Sequence, residues 1–261
     1  MIRFTSLLAA ASLMALTTSA FATPFSYNTR QVPITDTAGQ QSLQEVINTV
    51  VGPDVINATT DQSRVGAWSM SEADADAYRI ALLSPRGGGA LGIFSLDTGA
   101  EYTLLNATTA GTGYTAGFNI ELNALGNYDL YVGNTLKDEN FGQGFGFYWK
   151  EGTRKSYTLD SKNSGSQAQA LAYLVGDMTD VTLHRDPTKT TSTTAQGGDD
   201  WILAFDNQFE LTDGVFDSLT DYNDAVFYME DLSPVPEPGT MVLLGAGFLG
   251  LAIYAKRRKN A

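Results

Sequence analysis

From Val65 onward the chain breaks into brief apolar segments separated by Gly, Asn and Asp: YRIALLS, ALGIFSL, YTLLNAT, GYTAGFNIEL, YDLYVG, GFGFYWK, KSYTLDS, QALAYLV, DVTLH, DWILAF and DAVFYME. Short runs rich in β-branched and aromatic residues, bounded by turn formers, predict strands rather than alternating strands and helices. Their number and spacing predict an all-β body over residues 65–232, a β-sandwich or jelly-roll-like domain. Turns are predicted at Pro85-Arg86-Gly87-Gly88-Gly89, Leu125-Gly126-Asn127 and Asn163-Ser164-Gly165. The stretch RDPTKTTSTTAQGG, residues 185–198, is poor in apolar residues and reads as a surface loop.

Residues 23–64 precede the body as an N-terminal extension with one helical signal. Ser42-Leu43-Gln44-Glu45 has the capping-box pattern, and Leu43, Val46, Ile47 and Val50 then fall on one face. The pattern predicts a short helix ending near Gly52-Pro53.

The two ends of the chain have a different character. Residues 1–22 combine Arg3, an apolar run from Leu7 to Leu16, and Ala20 and Ala22 at cleavage-site spacing. This is the layout of a secretory signal peptide cut after Ala22, and the run is too short for a membrane helix. At the other end, Gly239 to Ala255 is apolar and free of charge, and as a helix it would reach roughly 25 Å against a hydrocarbon core about 30 Å thick. Lys256, Arg257, Arg258 and Lys259 follow at once, which predicts a single spanning helix over 239–255 with the basic residues 256–261 in the cytoplasm and the body outside.

The order Pro236-Glu237-Pro238, short Gly-rich apolar run, basic terminus resembles the PEP-CTERM sorting signal of Gram-negative bacteria, over residues 235–261. The resemblance implies recognition by an exosortase-type membrane peptidase, removal of the tail, and passage through an inner-membrane intermediate to the cell envelope or the extracellular, biofilm matrix. It implies transient contact with that enzyme, and possible partners in exopolysaccharide or other surface proteins. The prolines fit the role physically, because they deny the apolar helix an N-terminal extension and keep the triplet extended. An ordinary tail anchor is the competing reading of the same residues.

Charge sharpens this picture. The full chain has 16 Lys+Arg against 29 Asp+Glu, a net charge of −13, and without Arg3 and the four basic residues of the tail 11 face 29, a net −18. Such a body disfavours nucleic acid and anionic lipid and favours divalent cations. With no cysteine, an exported protein must be held by its core or by a metal.

The charge concentrates in DDWILAFDNQFELTDGVFDSLTDYNDAVFYMED, residues 199–231, which holds ten acids and no Lys or Arg. Its many aromatics should draw the segment into the fold and crowd the carboxylates, which then need neutralising. Ca²⁺, a hard cation that takes six to eight oxygen ligands, suits that task. The candidate ligands are Asp221, Asn223 and Asp224, completed by Asp206 and Asp217, with Asp213 in reserve. A solvated acidic edge that blocks strand pairing is the alternative. Asp200-Trp-Ile-Leu-Ala-Phe205-Asp206 and Asp221-Tyr-Asn-Asp224-Ala-Val-Phe227 resemble the closing strands of the domain-of-unknown-function family 4114, and Phe145–Tyr148 and Ala170–Tyr173 its middle strands. That resemblance, over about residues 140–231, implies a secreted β-rich module associated with Ca²⁺ and adhesion.

Catalysis has little to build on. The chain has one histidine, His184, so a zinc site of two histidines cannot form, and a Ser-His-Asp triad would need that residue. The expectation is a non-catalytic protein with no catalytic residues. Two alternatives stay open: a glycoside hydrolase using carboxylates only, and a carbohydrate-binding protein stacking sugars on the aromatics of FGQGFGFYWK.

Overall fold

The computed structural model describes residues 30–36, 41–71, 75–82, 89–107, 115–186, 189–195, 198–206 and 220–235. The predicted signal peptide, the Pro236-Glu237-Pro238 triplet, the apolar run 239–255 and the basic cluster Lys256–Lys259 lie outside the described residues. Among the described residues no helix is long and apolar enough to cross a membrane.

One short helix, α1 (Leu43–Val51), precedes the strands, and it forms as its sequence predicts. Ser42 Oγ accepts from the Glu45 N–H, Glu45 Oε2 accepts from the Ser42 N–H at 2.9 Å, and Gly52 ends the helix at φ +89°. The strands follow in order: β1 (Trp68–Met70), β2 (Ala75–Leu82), β3 (Gly89–Ser95), β4 (Glu101–Ala107), β5 (Thr115–Leu122), β6 (Tyr128–Val132), β7 (Thr135–Asp138) and β8 (Phe145–Glu151). Next come β9 (Arg154–Tyr157), β10 (Ala170–Val175), β11 (Asp180–Asp186), β12 (Lys189–Thr194), β13 (Asp200–Phe205), β14 (Ala225–Met229) and β15 (Leu232–Pro234). The all-β reading holds, and each of the eleven apolar segments lies on a strand.

Among the described residues the strands form one sheet ordered β15-β1-β8-β3-β4, with β9 on β8, a second ordered β10-β13-β14-β2-β5-β6-β7, and a separate β11-β12 hairpin. The two large sheets share one core. Trp149 of β8 meets Phe227 of β14 with ring centroids 5.6 Å apart, Trp68 of β1 meets Trp201 of β13 at 5.7 Å, and Phe118 of β5 lies 5.9 Å from both Phe145 and Phe147. These tilted and edge-on pairs are the preferred arrangement of aromatic quadrupoles.

The second sheet is covered on its other face as well. Trp201, Leu203 and Phe205 of β13 point into the shared core, whereas Ile202 and Ala204 join a second cluster with Leu43, Val46, Ile47 and Val50 of α1 and Val181 and Leu183 of β11. Burial on both faces explains why DWILAF reads as an unbroken apolar run instead of alternating with polar residues. Each aliphatic side chain so buried contributes about 1.5–3 kcal/mol.

Residues 185–198 correct the surface-loop expectation. Lys189–Thr194 is a strand, paired with β11 from Asp180 opposite Thr194 to Asp186 opposite Lys189. Threonine is β-branched and favours extended backbone whatever its polarity, a preference that a search for apolar runs does not register. The strands β1, β7 and β15 were likewise not expected, because three or four residues carry too little periodicity.

Between β3 and β8, glycines face rings. Gly146 stands opposite Phe94 and Gly92 opposite Tyr148, so each strand gives up one side chain to make room for the other's aromatic. A Cβ on Gly146 would lie 2.4 Å from Phe94 Cζ and 3.0 Å from the Gly66 carbonyl oxygen, with Phe94 fully buried and unable to swing out. Gly146→Ala should therefore cost about 1–3 kcal/mol, read as a fall of several degrees in Tm by thermal unfolding.

At the β4–β9 face Glu101 forms an ion pair with Lys155, accepts from Tyr157 Oη at 2.9 Å and lies 3.8 Å from Lys162 Nζ. Burial alone would raise its pKa, but the hydrogen bonds from Lys155 and Tyr157 and both ammonium charges outweigh burial and hold the carboxyl below its ordinary value. A carboxylate with a depressed folded pKa stabilises above its unfolded pKa and loses that contribution as pH falls through the folded value. Glu101→Gln should thus be less stable than wild type at pH 7, and the gap should close in acid below the ordinary carboxylate range, as followed by denaturant unfolding at stepped pH.

Candidate metal centre

The acidic residues of the closing segment divide between the two ends of one strand pair. β13 and β14 are antiparallel, with Phe205 opposite Ala225 at one end and Trp201 opposite Met229 at the other. Asp206 is the first residue beyond β13, and Asp224 the last before β14, so the register sets them side by side. Asp221 joins them through a turn in which Tyr222 takes a left-handed φ of +53°, an uncommon conformation for a bulky residue.

All three aspartates are buried, and each offers a carboxylate oxygen within 4.8 Å of the others. At that separation and an effective dielectric near 20, two ionised carboxylates repel by about 3 kcal/mol. A cation, protons or hydrogen bonds to the carboxylates must offset such a cost. The surroundings fix the backbone of Asp206 in place: its N–H donates to the Gln169 carbonyl at 3.0 Å, and Ser156 Oγ donates to its carbonyl at 2.9 Å. The Tyr222 phenol donates to the Ala168 carbonyl at 3.0 Å, and its pKa is pushed well up by burial and then by the Asp206 charge, with Arg30 opposing.

Asn223 is fully buried between the two acids of this turn. Its Nδ2 donates to the Gln41 carbonyl at 2.8 Å, while its Oδ1 is buried and accepts no hydrogen bond among the described residues. An amide oxygen of that kind is a suitable Ca²⁺ ligand. Of the five residues singled out from the sequence, Asp206, Asp221 and Asp224 come together, Asn223 sits within the same turn, and Asp217 lies outside the described residues, as does Asp213.

A second acidic group, Asp199, Asp200 and Asp231, lies at the opposite end of the pair and was not singled out from the sequence. Its signal was there to read, since these acids stand at the start of β13 and just past the end of β14. Asp200 Oδ2 accepts from the Tyr228 phenol at 2.8 Å, and Oδ1 from the Asp231 N–H at 3.4 Å, so this group closes the turn into β15.

The aromatics considered for sugar stacking are core residues. Phe141, Phe145 and Phe147 are fully buried and Tyr148 and Trp149 nearly so, which leaves no ring face for a sugar. The side chain of His184 is outside what is described.

The PEP-CTERM protein-sorting motif family matches residues 234–259. No curated protein and no solved structure matches the chain. The family comparison lends no support to the resemblance of residues 140–231 to family 4114. At residues 234–259 the chain is thus similar to the sorting signal of exported proteins that pass through the membrane and are recognised by an exosortase, a membrane enzyme.

Proposed function

We propose that this is an exported, non-catalytic, calcium-binding β-domain protein of the cell surface or exopolysaccharide matrix, freed from its C-terminal tail by an exosortase in a Gram-negative cell. The observation that carries the calcium reading is the trio Asp206, Asp221 and Asp224, three buried carboxylates with oxygens within 4.8 Å of one another. Ca²⁺ would be held by these three and by Asn223 Oδ1, and the ion would supply charge neutralisation and a cross-link between the ends of β13 and β14. Backbone carbonyls or water would fill the remaining positions. Burial of the trio also argues against carboxylate-only glycoside hydrolysis there, since a sugar has no approach to side chains this enclosed. The matrix setting and the kinship with family 4114 rest on the resemblances of the sequence.

Extracellular sites with a Kd near 0.1–1 mM are common, and a ligand at about 100 times its Kd adds about 2.7 kcal/mol. Adding 10 mM Ca²⁺ to the calcium-stripped body should therefore raise its Tm by about 3–10 °C. The Asp221→Ala/Asp224→Ala variant should show no rise. An equal rise in both proteins, or none in wild type, rules out this site. Sorting is tested separately: intact-mass measurement of the surface form should show a chain lacking Lys256–Lys259, and a mass retaining them would mean a permanent anchor.

A further inference from the structure

The family match begins at residue 234, inside β15, and the body is folded up to that point. β15 pairs with β1, setting Met70 opposite Leu232, Ser69 opposite Ser233 and Trp68 opposite Pro234. Beyond the strand, the Val235 N–H donates to the Ala67 carbonyl at 3.1 Å. Two residues of the matched segment, Pro234 and Val235, are thus part of the sheet. Only Pro236, Glu237 and Pro238 separate Val235 from the apolar run at Gly239, a reach of at most about 14 Å when fully extended. A membrane peptidase reading an extended backbone here competes with Ala67 and β1 for the same chain.

The strand is unevenly anchored. Leu232 is fully buried, its N–H donates to the Asp199 carbonyl at 2.8 Å, and its own carbonyl accepts from Trp201 Nε1 at 2.8 Å. Ser233, Pro234 and Val235 are only half-buried, and Pro234, whose nitrogen faces the open edge of the sheet in this register, adds no hydrogen bond on that side. β15 lies at the edge of its sheet, so this end can leave without breaking any other pairing.

We propose that the folded body withholds the start of the sorting signal from the exosortase, and that processing requires Ser233–Val235 to unpair from β1 while Leu232 stays anchored. Regulation of sorting is then built into the last strand of the body: a tightly docked β15 slows tail removal, and a loosened one speeds it. This rests on the reading that the tail is removed, and the test separates the two.

The chain has no cysteine, and Ser69 and Ser233 are directly opposed, within the Cα range that a disulfide spans. Full-length protein is pulse-labelled in its own cells and followed by intact mass for loss of Lys256–Lys259. Three forms are compared: wild type, S69C/S233C, and S69C/S233C with about eight Gly and Ser residues, roughly 15 Å of mean reach, followed by a second Pro-Val inserted between Val235 and Pro236, so that a copy of the matched segment starts free of β1. We expect the oxidised cross-link to slow processing at least about five-fold by removing the open state, and either the insert or a reductant to restore it. Processing of the cross-linked form at the wild-type rate overturns the proposal, as does slowing that the insert does not relieve. If wild type itself keeps its tail, the processing reading fails, and this inference with it.

Discussion

Five consecutive register pairs join β13 to β14, from Trp201 opposite Met229 to Phe205 opposite Ala225, and both faces of this ladder are buried. One face supplies Trp201, Leu203, Phe205, Phe227 and Met229 to the core between the sheets. The other supplies Ile202, Ala204, Val226 and Tyr228 to the layer made with α1 and the β11-β12 hairpin. Because both layers pack on the same two strands, the helix and the hairpin are held by the sandwich rather than appended to it. A polar substitution on either face would strand an unsatisfied group in a dry interior.

The same ladder disposes the charge. Apolar residues fill the two strands, so the acids of the segment are confined to their ends, and antiparallel pairing gathers them into two groups. The groups differ in burial and in what lies beside them. Asp200 has a phenol and a backbone N–H on its oxygens, and works as a turn lock ahead of β15. Asp206, Asp221 and Asp224 are set against one another at full burial, beside an asparagine oxygen that accepts no hydrogen bond among the described residues. Similar composition at two ends of one strand pair thus gives one structural cluster and one candidate for a cation.

The N-terminal segment closes over the second of these. The Thr35 N–H donates to the Thr220 carbonyl at 3.0 Å, and Asn223 Nδ2 to the Gln41 carbonyl. Arg30 forms an ion pair with Asp160, and Gln62 exchanges hydrogen bonds with the backbone of Val32 through both ends of its amide. Residues close to the start of the predicted mature chain are therefore bound to the turn that leads into β14, and burial of that turn depends on them.

The sequence by itself determined what local physics controls. The capping box of Ser42 and Glu45 fixed α1, the short apolar runs fixed most of the strands, and the Pro-Glu-Pro triplet with its apolar run and basic end identified the sorting tail. It also pointed to Asp206, Asp221 and Asp224, since acids between apolar runs with no neighbouring base are conspicuous in one dimension. Only the tertiary structure decided the rest. The threonine-rich stretch became a strand because β11 was present to pair with it, and Phe145, Phe147 and Trp149 of FGFYWK turned inward because the second sheet was there to cover them, while Gly92 left space for Tyr148 on the other face. The body stays folded up to Val235 because β15 docks on β1, and strand pairing between residues some 165 positions apart has no signature in either segment alone.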